Sequence, residues 1–179
     1  HGRALGRGRP LRAGVGGLPG GMHARIPMTP TGYAKVSAEL KHLREVARPQ
    51  NIVALEEARA HGDLSENAEY DAAKDRQGHI EGRIMELESR VSLAEVIDVS
   101  KIAPSDKVIF GTTVEGEDED GKAFTYRIVG LEEIDVKAGL ISYSSPIGKS
   151  LLGRGVGDEV IVETPRGVKT LVINAVHYR

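Results

Sequence analysis

The sequence predicts an α+β chain in two parts, an antiparallel α-helical coiled-coil hairpin followed by a β-rich domain with one short helix. Three observations predict it. Apolar positions repeat with alternating spacings of 3 and 4 through residues 70–94, a shorter stripe of the same kind precedes them, and after Asp98 the texture changes to short β-rich runs between turn signals.

Residues 1–27 are rich in Gly, Arg and Pro and carry neither a helical nor a strand period, so they are expected to form a disordered extension. Met22 is a plausible native start, with residues 1–21 upstream or appended. The alternative for this stretch is a basic arm for nucleic acid.

The hairpin is assigned to residues 28–99. Pro30 sits where a first helical turn accepts proline, and Tyr33, Val36, Leu40 and Leu43 then form a seam. Pro49 interrupts it and is expected to kink the helix, after which Ile52, Leu55 and Ala58 resume the stripe up to Ala60. The second arm is unbroken: Tyr70, Ala73, Gln77, Ile80, Ile84, Leu87, Val91 and Ala94 form a heptad seam that asks for one long partner. The few residues between the arms permit only an antiparallel return. At roughly 1.5 Å per residue, arms of about thirty residues make a rod of about 40 Å whose far end must stand in solvent. The hairpin is therefore a probe with a tip, at residues 61–67.

Residues 100–179 form the β-rich domain. Strands are expected near Lys107–Phe110, Thr112–Glu117, Phe124–Val129, Gly139–Tyr143, Asp158–Glu163 and Val168–Tyr178. Asp120-Gly121 marks a hairpin turn, and Pro146, Ile147, Leu151 and Leu152 mark a short helix that stops at Gly153.

Composition narrows the function. The chain has no cysteine, which excludes disulfides, thiolate zinc sites and a cysteine nucleophile. No apolar run approaches the roughly 20 residues that span a bilayer, and a soluble, cytoplasmic protein without membrane contact is expected. The net charge of -2 is uneven, because Arg3, Arg7, Arg9 and Arg12 have no acid near them in residues 1–21. The remainder carries 20 basic against 26 acidic residues, a poor fit to a bare duplex and a better one to basic protein surfaces or metal ions.

The tip reads His61-Gly62-Asp63-Leu64-Ser65-Glu66-Asn67-Ala68-Glu69-Tyr70. By spacing alone Gly62 ends the first arm, Asp63 caps the second and Glu66 completes a capping box, with carboxylates also favoured by the helix dipole. Capping does not explain why a long rod should end in acids. Three other motifs carry less. Gly148-Lys149-Ser150 lacks the earlier glycine of a phosphate-binding loop, Glu115–Asp120 lacks the ligand spacing of a calcium loop, and the six histidines show no zinc spacing.

The run Glu57-Ala58-Arg59-Ala60-His61-Gly62-Asp63-Leu64-Ser65-Glu66-Asn67-Ala68-Glu69-Tyr70, with Ala72-Ala73-Lys74 and Ile80-Glu81-Gly82-Arg83-Ile84, resembles the signature of the Gre family of bacterial transcript-cleavage factors. The resemblance continues through Val96–Val99, Val108–Gly111, Tyr126–Gly130 and Ser145–Gly148, and the leucine of the tip with Glu-Gly-Arg is nearer the GreA than the GreB branch.

It implies a transcription elongation factor, probing as a monomer into the secondary channel of bacterial RNA polymerase. The second domain, FKBP-like, would dock on the channel rim. Asp63 and Glu66 match the family's acidic pair. They would hold Mg2+ shared with RNA polymerase, with no cofactor bound stably by the chain alone, and so promote cleavage of backtracked RNA by the polymerase, which remains the enzyme. Arg59 and Lys74 match a basic patch facing the RNA 3′ end, Ser65, Asn67 and Tyr70 support the tip, and Ser144, Ser145 and Pro146 match a polymerase-docking loop. Two alternatives stand beside this: a non-catalytic channel-binding regulator, which would need no metal ligands, and a prolyl isomerase, for which the aromatic-poor second half is ill suited.

Overall fold

The structure, a computed structural model, describes residues 24–63 and 67–179. Strand β1 (Ile26–Met28) leads into helix α1 (Pro30–His42), which Thr29 caps by accepting a hydrogen bond from Gly32 N at 3.0 Å, with Pro30 in the first turn where its missing N–H costs nothing. The boundary that composition sets at residue 27 therefore falls inside an ordered strand.

The first arm does not kink at Pro49 itself. Its interruption is a five-residue π-turn at Leu43–Ala47, followed by α2 (Arg48–Ala60). Proline cannot donate to the carbonyl four residues back, and its ring crowds that carbonyl. Widening the preceding turn relieves the conflict: the Arg48 N–H reaches Leu43 O, five residues back. The wide turn inserts one residue into the seam. Val36 and Leu40 are continued through half-buried Leu43 and Ala47 to buried Asn51, Leu55 and Ala58, whereas an uninterrupted heptad would run through Gln50, Ala54 and Glu57. Ile52, expected on the stripe, is 47% exposed.

Asn51 is the polar member of the seam, 3% exposed. Its Nδ2 donates to Ala73 O at 3.1 Å, while Oδ1 finds no donor among the described residues. A single seam asparagine fixes register at a cost in stability. Asn51→Leu is expected to stabilise the fold by about 1–2 kcal/mol, read as a rise of several degrees in the thermal midpoint of helical circular dichroism.

Helix α3 (Ala68–Leu93) returns antiparallel, burying Ala73, Ile80, Ile84 and Leu87. Ion pairs line both flanks: Glu39–Arg83 at 2.8 Å on one, Arg44–Glu88 at 2.6 Å and Arg48–Glu81 at 2.8 Å on the other. Arg83 hydrogen-bonds Glu39 and Arg48 hydrogen-bonds Glu81, holding both carboxyls below their ordinary range. Exposed pairs of this kind contribute little energy singly but select the antiparallel pairing.

Strand β2 (Ala94–Val96) pairs parallel with β1, and Ile97 N donates to Met28 O at 2.9 Å, closing the base of the hairpin. A five-stranded sheet follows, built from β3 (Thr113–Asp118), β4 (Ala123–Val129), β5 (Leu140–Ser142), β6 (Glu159–Thr164) and β7 (Gly167–His177) in the order β5-β4-β3-β7-β6, with helix α4 (Pro146–Leu151) between β5 and β6. Within this sheet β4 and β5 pair parallel and the other neighbours antiparallel. The β3–β4 hairpin turns at Gly121, whose φ of 76° the turn requires. Val114, Ile128, Leu151, Val160, Val162, Leu171 and Ile173 form its core.

Lys107–Phe110, expected as a strand, is not one. Lys107 makes an isolated bridge with Gly155, and the chain then turns so that Gly111 N bonds Ile128 O at 2.8 Å. Val108 and Phe110 read as strand because they are buried in the core; Val108 N donates to Arg154 O at 2.7 Å and Val108 O accepts from Gly153 N at 2.9 Å, but the pairing extends no further than this bridge.

The two parts meet at a 3-10 turn, Leu131–Glu133. Glu132 accepts from Arg90 Nη2 at 2.7 Å through its carboxylate and from Lys35 Nζ at 2.9 Å through its carbonyl, and Thr29 Oγ1 donates to Glu133 Oε1. The Glu132 side chain is 4% accessible and that of Arg90 18%. Gly32 makes room for them, since a Cβ there would lie 2.7 Å from a carboxylate oxygen of each glutamate.

Candidate functional site at the hairpin tip

Helix α2 ends by tightening its last turn. His61 N bonds Ala58 O at 3.3 Å, Gly62 N bonds Arg59 O at 3.2 Å, and Gly62 takes a φ of 97°, open to glycine and strained for other residues. Asp63 follows immediately and is exposed. The turn thus places Asp63 at the exposed extremity of the rod.

Asp63 is not the cap of the second arm. That arm begins at Ala68, and its cap is Asn67, whose Oδ1 accepts from Tyr70 N at 3.1 Å. The same side chain donates from Nδ2 to Ala58 O at 2.7 Å, across to the other arm. Ser65 and Glu66 lie outside the described residues.

Arg59 and Tyr70 come together across the tip, the guanidinium carbon 5.9 Å from the ring centroid, a cation–π contact that orients the charge. Lys74 lies one turn beyond Tyr70, its Nζ on Gln77 Oε1 at 3.1 Å. The structure therefore groups Asp63, Asn67, Arg59 and Tyr70, with Lys74 farther down the rod. His61 and Glu69 were given no role by spacing, yet His61 Nδ1 lies 3.4 Å from Glu69 Oε2 across Gly62.

Ser144, Ser145 and Pro146 belong to the sheet domain. Ser145 Oγ donates to Ser142 O at 2.7 Å and accepts from Gly148 N at 3.0 Å, capping α4, and Pro146 occupies its first turn. Ser144 and Pro146 are exposed. The neighbouring Gly148-Lys149-Ser150 forms no phosphate cradle, because the Gly148 N–H serves that cap and Ser150 Oγ donates to Pro146 O at 2.8 Å. In the acidic run, Asp118 Oδ1 accepts from the N–H groups of Asp120 and Lys122, and Glu119 Oε2 from Thr170 N, so these acids serve the hairpin turn. No group of three or more His, Cys, Asp or Glu among the described residues could hold a metal, and no helix there is long and apolar enough to cross a membrane.

Comparison with known proteins identifies the family. Residues 26–96 match the family model described as transcription elongation factor, N-terminal, and residues 103–178 that described as transcription elongation factor, GreA/GreB, C-term. The chain is 56% identical over 155 residues to transcription elongation factor GreA of Rhodospirillum rubrum and 52% identical over 155 residues to that of Verminephrobacter eiseniae, in each case 86% of this chain and 98% of the relative. Among solved structures it is similar to Gfh1, a GreA factor homologue of Thermus thermophilus, at 29% identity and a TM-score of 0.39, covering 86% of this chain and 99% of that one. The chain belongs to the GreA/GreB family of transcription elongation factors.

Proposed function

We propose that this chain binds bacterial RNA polymerase in the cytoplasm, enters its secondary channel with the hairpin and stimulates the polymerase's own cleavage of backtracked RNA. The observation that carries the reading is the exposed Asp63 on a tight turn at the end of a rod locked by its seam and flanking ion pairs. A rigid arm places a carboxylate better than a loose one.

The donor chemistry fits Mg2+, which takes hard oxygen ligands and is usually held by one or two carboxylates together with phosphate oxygens. Asp63 and Glu66 would hold it, the remaining ligands coming from the polymerase and the RNA. When bound there, the ion lowers the pKa of a water and offsets charge on a phosphodiester. The chain itself presents Asp63 at the tip, with Arg59 on the Tyr70 ring there and Lys74 farther down the rod to attract the phosphates of the extruded RNA 3′ end. The exposed Ser144–Pro146 loop is the proposed docking contact on the channel rim. The seam of each arm is filled by the other, which leaves the hairpin no need of a second copy and supports a monomer.

In halted polymerase complexes with Mg2+, adding the protein is expected to shorten the backtracked transcript. Asp63→Asn with Glu66→Gln should lower that stimulation on the order of 100-fold while competing for the same polymerase site. A double variant that cleaves like the parent overturns the role of the tip acids. A parent protein that leaves the transcript uncut yet blocks elongation points to the channel-plugging alternative.

A further inference from the structure

We infer that Asn67 is a positioning residue for the tip, a clasp that ties the end of α2 to the start of α3 and so fixes the turn presenting Asp63. The inference deepens the reading above by naming the group on which the placement of its acid depends.

Its basis is the choice of residue. Capping α3 needs one acceptor for the Tyr70 N–H, and Asp or Ser would supply it as well as Asn. A serine hydroxyl can also donate and accept at once, as Ser145 does, but from one atom on a short side chain, whereas the amide carries its acceptor and its N–H donor on separate atoms and so reaches partners on two helices. Here both are used: Oδ1 takes Tyr70 N at 3.1 Å, and Nδ2 reaches Ala58 O at 2.7 Å.

Ala58 O is the point where a clasp has most effect. It is among the last carbonyls of α2, which have no partner farther along the helix. Its other donor, His61 N, stands at 3.3 Å, so the amide supplies the shorter bond. Ala58 is also the last buried seam residue of this arm among the described residues. Two turn bonds hold the backbone of His61 and Gly62, and this link ties the same turn to α3. The clasp also fixes Tyr70, on whose ring Arg59 rests, so one side chain sets both the acid and the guanidinium.

Asn67→Ser separates the clasp from the cap, because serine retains the acceptor and cannot reach across. Three readouts are needed on the full chain. The thermal midpoint should stay within a few degrees of the parent. Amide hydrogen exchange in the free protein should quicken on the order of tenfold at His61 and Gly62 and remain unchanged at the middle of α3. In halted polymerase complexes, the Mg2+ concentration giving half-maximal cleavage should rise, as removing a group that orients a metal ligand typically weakens metal binding roughly 10–100-fold. The protein concentration giving half-maximal effect should not change. Unchanged exchange at His61 and Gly62, an unchanged Mg2+ dependence, or a defect confined to polymerase affinity each overturns the inference. Failure of the parent protein to stimulate cleavage overturns the proposed function instead, and the exchange measurement then decides the clasp alone.

Discussion

Replacing Glu132 with alanine is expected to destabilise the protein by about 3–5 kcal/mol, because it strands the largely buried Arg90 guanidinium without its carboxylate. The pair's geometry is good, 2.7 Å between Arg90 Nη2 and Glu132 Oε2, but Oε1 finds no hydrogen-bond donor among the described residues, so part of the desolvation cost is already borne by the native state. The effect therefore lies in breaking the pair, not in having it. Arg90→Met with Glu132→Leu should be close to neutral, since matched apolar residues leave nothing charged behind. Urea denaturation followed by circular dichroism at 222 nm distinguishes the two. A Glu132→Ala protein within about 1 kcal/mol of the parent would mean that Arg90 escapes to water.

Gly116→Ala is expected to cost about 3 kcal/mol or more, or to prevent folding of the sheet. A Cβ at this position would lie 2.0 Å from Val172 O and 2.6 Å from Phe124 Cζ. The phenyl ring, stacked on Tyr126 at 5.1 Å, could shift, but the carbonyl belongs to the β7 backbone, and no rotamer relieves that contact. Strand β3 is central, paired to β4 and β7, and its register with β7 slips between Glu115 and Gly116, where the close approach occurs. Gly121→Ala provides the comparison: its φ of 76° carries backbone strain of about 1 kcal/mol, with nothing within 4 Å of the added carbon. Thermal melting should place the two variants well apart, and a Gly116→Ala protein melting like the parent would contradict the β3–β7 contact.

Helix α3 was legible because its seam repeats without a break, and the β3–β4 hairpin because Asp120-Gly121 separates two strand-like runs. The π-turn was not, since Pro49 signals a conflict without saying whether a kink or an inserted residue resolves it; Ile52 was misplaced for that reason. Strands β1 and β2 were hidden because each is three residues long and its partner is remote in the chain. At the tip, Asp63, Ser65 and Asn67 are all cap-forming residues, and local rules do not choose among them. The link from Asn67 to Ala58 O, a tertiary contact, goes with the choice. Glu132 was silent for the same reason, its partners lying 42 and 97 positions away. That the tip acids act at all was suggested by the family signature, not by spacing.

One residue inserted at Leu43–Ala47 has an effect at the far end of the arm. An α-helix turns about 100° per residue, so beyond the wide turn α2 presents a face rotated by about that angle. Without the insertion Glu57 would face the partner helix and Arg59 would swing away from Tyr70. The azimuth of the guanidinium at the tip is therefore set about three turns upstream, by a proline that touches neither residue.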